Sequence, residues 1–194
     1  KKLCRLGFLQ PTPDDDELHL SFVHYAIQEA TYKLMLRAQK SQIHRAAANW
    51  YEAKHEDHLE PFYTLLAYHW KNAEDPIKAI DYYEKSAIQA SQNYANEEVL
   101  AALEEAIKLE EQHSEGRSNL RQARWHQYLG DAHYSLARWA QSESHFLKSM
   151  ELLGRPIATS SLGRIFQALG AAFQQFCHRI WTRLALGREK EQGE

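Results

Sequence analysis

Glu52, His55, Glu56 and His58 are the densest gathering of side chains in the sequence that could hold a metal or move a proton. Spacings of three and four residues would set Glu52, His55 and Glu56 on one helical face, with His58 past the expected helix end. Neither an H-E-x-x-H pair nor a Cys/His ligand spacing occurs, and such residue types gather often on charged helices, so the cluster reads as solvated surface. Cys4 and Cys177 are the only cysteines and lie far apart, which provides neither a disulfide framework nor a redox pair and fits a reducing, cytoplasmic setting. Cys177, among Phe173, Phe176 and Ile180, reads as a packed apolar residue, because the sequence sets no basic partner beside it. A phosphate loop of the form G-x-x-x-x-G-K-[ST] is excluded, since no glycine is followed by lysine. No catalytic residue, metal or cofactor is therefore expected.

The scaffold behind these residues is helical by composition. Val, Ile and Thr together number only 16 of 194 residues, too few for a sheet protein, while Ala, Leu, Gln, Glu and Lys dominate. Hydrophobic content of 44% and charged content of 25% are those of a globular chain, and no apolar run approaches the roughly 20 residues of a membrane helix. Lys1 and Lys2 precede no apolar signal core and no initiating Met is present, so the chain reads as a piece of a longer one.

Charge is uneven. Residues 1–56 carry a net +1, residues 57–120 a net −8 and residues 121–194 a net +4. A nucleic-acid binder usually shows a basic excess over a whole domain, so this distribution argues against nucleic acid. The local exception is Lys33, Arg37, Lys40 and Arg45, with no acid between Glu29 and Glu52. That stretch reads as a solvated helical face, with an anion-facing, DNA-binding surface as the alternative.

Along the chain, Pro11, Pro13 and the acidic run Asp14 to Glu17 break the short apolar segment Leu3 to Phe8 from the next apolar residues, which places a turn or wing there. Leu18, Leu20 and Phe22 alternate with polar neighbours and predict one convincing strand. Two amphipathic helices come next, one from Tyr25 and another after a break near Lys40. A strand and wing beside a helix pair is the composition of the C-terminal part of a winged-helix module. Pro61 and Pro76 suit the first turns of two further helices, the first running to about Asn72, because proline lacks only a donor that is unused there. A polar break from Gln112 to Asn119 separates helices ending near Glu111 and starting near Leu120. A final amphipathic helix is expected from about Ser161 to Leu186.

Leu129, Gly130, Tyr134, Trp139, Phe146 and Met150, followed by Pro156, have a spacing that resembles the tetratricopeptide consensus, with Gly130 as the small residue that lets paired helices approach. Ser142 and Ser149 stand where that family usually has Ala, and His133 at a common Tyr position. Tyr63, Leu66, Ala67, Trp70, Ala79 and Tyr83 resemble a second repeat, and Leu103, Ala106 and Ile107 part of a third. The string Phe22-Val23-His24-Tyr25-Ala26-Ile27-Gln28-Glu29-Ala30-Thr31-Tyr32 resembles the winged-helix signature of STAND ATPases, signalling NTPases built from a nucleotide-binding domain, a winged helix and a helical-repeat arm. Leu65-Leu66-Ala67-Tyr68-His69-Trp70 and Leu152-Leu153-Gly154-Arg155-Pro156 are similar to the same group, in which the ATPase follows a class III adenylate or guanylate cyclase domain or a protein kinase domain.

That resemblance implies an all-α helical-repeat superhelix at 57–156, a partial winged helix with one short β-hairpin at 1–56, and a long amphipathic helix at 157–194. It also implies that His24 stands where the family's Met-His-Asp motif has the histidine that touches the β-phosphate of ADP in the parent protein, although Phe22, Val23 and Tyr25 depart from the motif. Without a nucleotide the same position reads as a partly buried strand-end residue capping the next helix. Arg124, Gln127, Asp131 and Tyr134 fall at first-helix positions that the repeat family uses for partners, either a separate protein or other domains of the parent, with an ordinary solvated face as the alternative. The terminal stripe, which includes Phe173, Phe176, Ile180 and Leu184, is expected to associate with a second copy when it is not covered. The expected function is a non-catalytic regulatory and protein-interaction segment.

Overall fold

The computed structural model describes residues 2–12, 19–113 and 118–155. In chain order its elements are α1 (Lys2–Arg5), β1 (Leu9–Thr12), β2 (His19–Phe22), α2 (Tyr25–Leu34), α3 (Arg37–Lys54), a 3-10 turn (Glu60–Phe62), α4 (Tyr63–Asn72), α5 (Pro76–Gln92), α6 (Asn96–Gln112), α7 (Asn119–Ser135) and α8 (Trp139–Leu152). These residues are predominantly helical, with one small two-stranded sheet. Among the described residues no helix is long and apolar enough to cross a membrane. The expected helix Ser161 to Leu186, and with it Phe173, Phe176, Cys177, Ile180 and Leu184, lies outside the described residues.

Two boundaries differ from the sequence expectation. The segment containing Pro11 is a strand: β1 runs antiparallel to β2, with Pro11 opposite Leu20 and Leu9 opposite Phe22. In a two-stranded sheet each strand has an unpaired edge, so a residue without an N–H is tolerated. The break expected near Lys40 comes earlier, at Met35 and Leu36, whose ψ angles of 142° and 152° are extended. Gln39 Oε1 accepts the Leu36 N–H at 2.9 Å, satisfying a donor at the start of α3.

Of the two helix starts marked by proline, the one at Pro76 is observed and the one at Pro61 is displaced by two residues. Asp75 Oδ1 accepts the Lys78 N–H at 3.1 Å, which caps α5 just ahead of Pro76. Pro61 sits in the 3-10 turn that leads into α4. Helix ends are equally regular. After α4, α5 and α7 the chain turns through Glu74, Tyr94 and Ala137, each left-handed at φ 57–59°, and after α8 through Gly154. In all four turns the next N–H bonds back to a carbonyl in the last turn of the helix: Asp75 to Trp70, Ala95 to Ala90, Arg138 to His133 and Arg155 to Met150. This is the Schellman ending, which satisfies carbonyls the helix leaves over and reverses the chain within a few residues.

The described residues fall into two compact units, one drawn from Lys1–Gln89 and Glu104–His113, the other from Ala90–Leu103 and Ser114–Glu194. In the first, Leu66, Ala67, Trp70, Ala79 and Ala87 are buried, with α3 packed on α4. In the second, Val99, Leu103, Trp125 and Leu129 are nearly fully buried and α7 packs on α8. Burying such side chains contributes roughly 1.5–3 kcal/mol each relative to exposure.

Candidate functional site

The two-faced helix α7 carries the partner-binding candidates. Ala123, Trp125, Leu129, Gly130, Ala132 and His133 form its buried face, so Arg124, Gln127, Asp131 and Tyr134 are left together on the exposed one. Steric fit holds that orientation. A Cβ on Gly130 would lie 2.7 Å from a ring carbon of Phe146 on α8, closer than any side chain can approach. Ser149 is buried and donates its hydroxyl to the Ala123 carbonyl at 2.8 Å. Ser142 is also buried. The Tyr134 and Trp139 rings meet edge to face at 5.0 Å, both about 60% exposed. Arg138 reaches Glu97 within the same unit at 2.6 Å. Asp131 is exposed overall, but loss of solvent around its carboxyl pushes its pKa above the usual carboxylate range. The result is an exposed surface carrying a cation, an amide, an acid and two aromatic rings.

His24 lies between β2 and α2 at the N-cap position of α2, with extended backbone. Its side chain makes no capping hydrogen bond and the residue is exposed, which corrects the reading of a partly buried cap.

The cluster read as a solvated metal-like face is divided by the structure. α3 ends at Lys54 and His55 is its C-cap, so only Glu52 of the three stands on the helix. Nor is Glu52 a solvated residue. Its carboxylate accepts from Trp70 Nε1 and Tyr82 Oη, both at 2.8 Å, and pairs with Lys78 Nζ at 3.1 Å. The Lys78 ammonium also sits 3.8 Å from the centre of the Trp70 ring. Burial, with the Glu52 carboxylate next, pushes the Tyr82 phenol well above its ordinary value. An open cleft of about 580 Å³ lies beside this hub, walled by Asn49, Glu52, Glu56, Leu59, Lys78 and Tyr82. His55 instead stacks on Phe62 at 4.2 Å, and His58 pairs with Glu60 at 3.1 Å. Among the described residues no three His, Cys, Asp or Glu side chains are grouped to hold a metal ion.

The four cations of the alternative DNA-binding surface are occupied within the chain. Lys33 pairs with Glu29 on α2 at 2.7 Å, Arg37 with Glu74, and Arg45 donates to the Ala73 carbonyl at 3.1 Å. Lys40 lies over the Tyr32 ring at 4.7 Å.

Sequence reasoning missed two histidine couples. His44 and His69 approach Nδ1 to Nδ1 at 2.8 Å, and His126 and His145 do the same at 2.9 Å. The signal in the sequence was weak: His126 and His133 are two helical turns apart on one face of α7, but nothing local points to His145. No family model matches the chain, and no curated protein matches it.

Proposed function

We propose that this chain is a non-catalytic, tetratricopeptide-like interaction arm with a winged-helix remnant, belonging to a STAND-type signalling ATPase of the kind joined to class III nucleotide cyclases or protein kinases. The observation that carries the reading is the α7–α8 hairpin. Gly130 meets Phe146 across the hairpin, which supports a repeat-like packing, and the exposed face of α7 collects Arg124, Gln127, Asp131 and Tyr134. The supporting logic is that of helical repeats, in which one face of each hairpin is used for stacking and the other is left for a partner. The partner is a protein, either separate or another domain of the parent chain, and His24 contributes a nucleotide contact only in the presence of the parent's phosphate-binding domain.

The test is site-specific photocrosslinking from Gln127 in cells that express the parent protein. Protein adducts that disappear when Arg124 and Asp131 are both replaced by Ala are the expected result. Adducts unaffected by those changes in a folded chain would remove the α7 face from the proposal. That double substitution is expected to change folding stability by less than about 0.5 kcal/mol, because both side chains lie on the exposed face, and urea denaturation checks it.

A further inference from the structure

His44 is only 5% exposed, and its two ring nitrogens are both committed: Nε2 to the Tyr32 hydroxyl at 2.9 Å and Nδ1 to His69 Nδ1 at 2.8 Å. Two nitrogens facing at that distance share one hydrogen, so one ring donates and the other accepts. A neutral couple satisfies the arrangement. A first added proton leaves a charge among the Tyr32, Tyr51 and Tyr68 rings, and a second points two N–H groups at each other and breaks the bond. The surrounding charges give no relief. From α2, Lys33 is taken by Glu29, and from α3, Arg37 is taken by Glu74. From α4, Lys71 is taken by Glu105. Lys40 over Tyr32 and Arg45 on the Ala73 carbonyl are both cationic.

The second unit repeats the device. His126 and His145 share a hydrogen at 2.9 Å between α7 and α8, and His133 stacks on His145 at 5.3 Å with its rings 11° from parallel. His133 is 8% exposed, and its buried Nδ1 makes no hydrogen bond. Lys148 of α8, paired with Glu151 at 3.0 Å, adds positive potential at His126, while Asp131 and Arg124 of α7 lie on the opposite, exposed face.

We propose that the two histidine couples are acid-sensitive latches: proton uptake by His44–His69 frees α2, α3 and α4 from one another in the first unit, and uptake by His126–His145 frees α7 from α8 in the second. Burial holds His44, His69 and His126 below the ordinary histidine value, with the neighbouring histidine adding to the effect on His69 and His126. The unfolded chain therefore binds more protons than the folded one below about pH 6.5. Stability is complete above that pH and is lost as the pH falls toward the lowered folded values.

The experiment follows urea unfolding of the full chain from pH 7.5 to 5.5, with ring-proton NMR titration of the histidines. The folded-to-unfolded ratio should drop roughly tenfold per pH unit for each extra proton the unfolded chain takes up. His44→Gln with His69→Gln, and separately His126→Gln with His145→Gln, should each remove part of that slope. In the wild type, the four ring signals should change together with amide-exchange protection of their own helices. Four rings that titrate at the midpoint of exposed histidines while exchange stays protected would overturn the proposal, as would a flat wild-type profile. If a double variant does not fold, the wild-type titration and exchange data decide alone.

Discussion

In the α3–α5 region three helices converge on one carboxylate, whereas the α7–α8 hairpin closes where a side chain is missing. Glu52 takes a donor from α4 and two from α5, so its partners are set by direction and charge. Gly130 offers nothing but room for Phe146. The difference teaches how each region fails. A polar hub that loses its acceptor leaves Trp70 Nε1 and Tyr82 Oη seeking water, and water enters readily because the adjoining cleft is open. A steric contact finds relief only by turning the Phe146 ring aside or by moving the helices apart.

The largest effect should come from filling that room. Gly130→Leu is expected to destabilise the chain by about 3 kcal/mol, because overpacking between helices outweighs the better helix propensity. Phe146→Ala added to it should restore part of the loss in a double-mutant cycle. Additive costs in urea titrations would show that the two residues do not meet.

Next is Glu52→Ala, expected to cost about 2 kcal/mol, toward the lower end for a broken charged network because the Glu52 side chain is 24% exposed. Glu52→Gln keeps one acceptor oxygen and should cost roughly half as much. Equal losses for Ala and Gln would mean that the Lys78 charge, rather than the hydrogen bonds, holds the hub. The smallest effect tests what the two regions share, their helix endings. Tyr94, at φ 58° and 85% exposed, occupies a left-handed position that costs a non-glycine residue of the order of 1 kcal/mol. Tyr94→Gly should raise the unfolding midpoint by a degree or two, about 0.5 kcal/mol, and a lowered midpoint would show that the ring does packing work.

Features carried by neighbouring residues were legible without coordinates. Pro76 announces α5, and the resemblance to the tetratricopeptide consensus is what set Arg124, Gln127, Asp131 and Tyr134 apart from Leu129 and Gly130. Pro11 misled because proline punctuates most chains, and only the pairing with β2 shows that its strand lies at an edge. The break before α3 was misplaced because Met35 and Leu36 are good helix formers, and the extended backbone there is a tertiary choice.

The sequence by itself therefore determined the helical class and the start of α5 at Pro76, which depend on composition and on residues within a turn of each other. Only the tertiary structure decided that Glu52 is a half-buried junction and not part of a solvated face, and that His44 meets His69 and His126 meets His145. The physical reason is reach. A carboxylate or an imidazole looks the same in sequence whether it faces water or a partner 18 to 30 residues away, and the cost of burying it is met only when chain reversals bring that partner within hydrogen-bond distance.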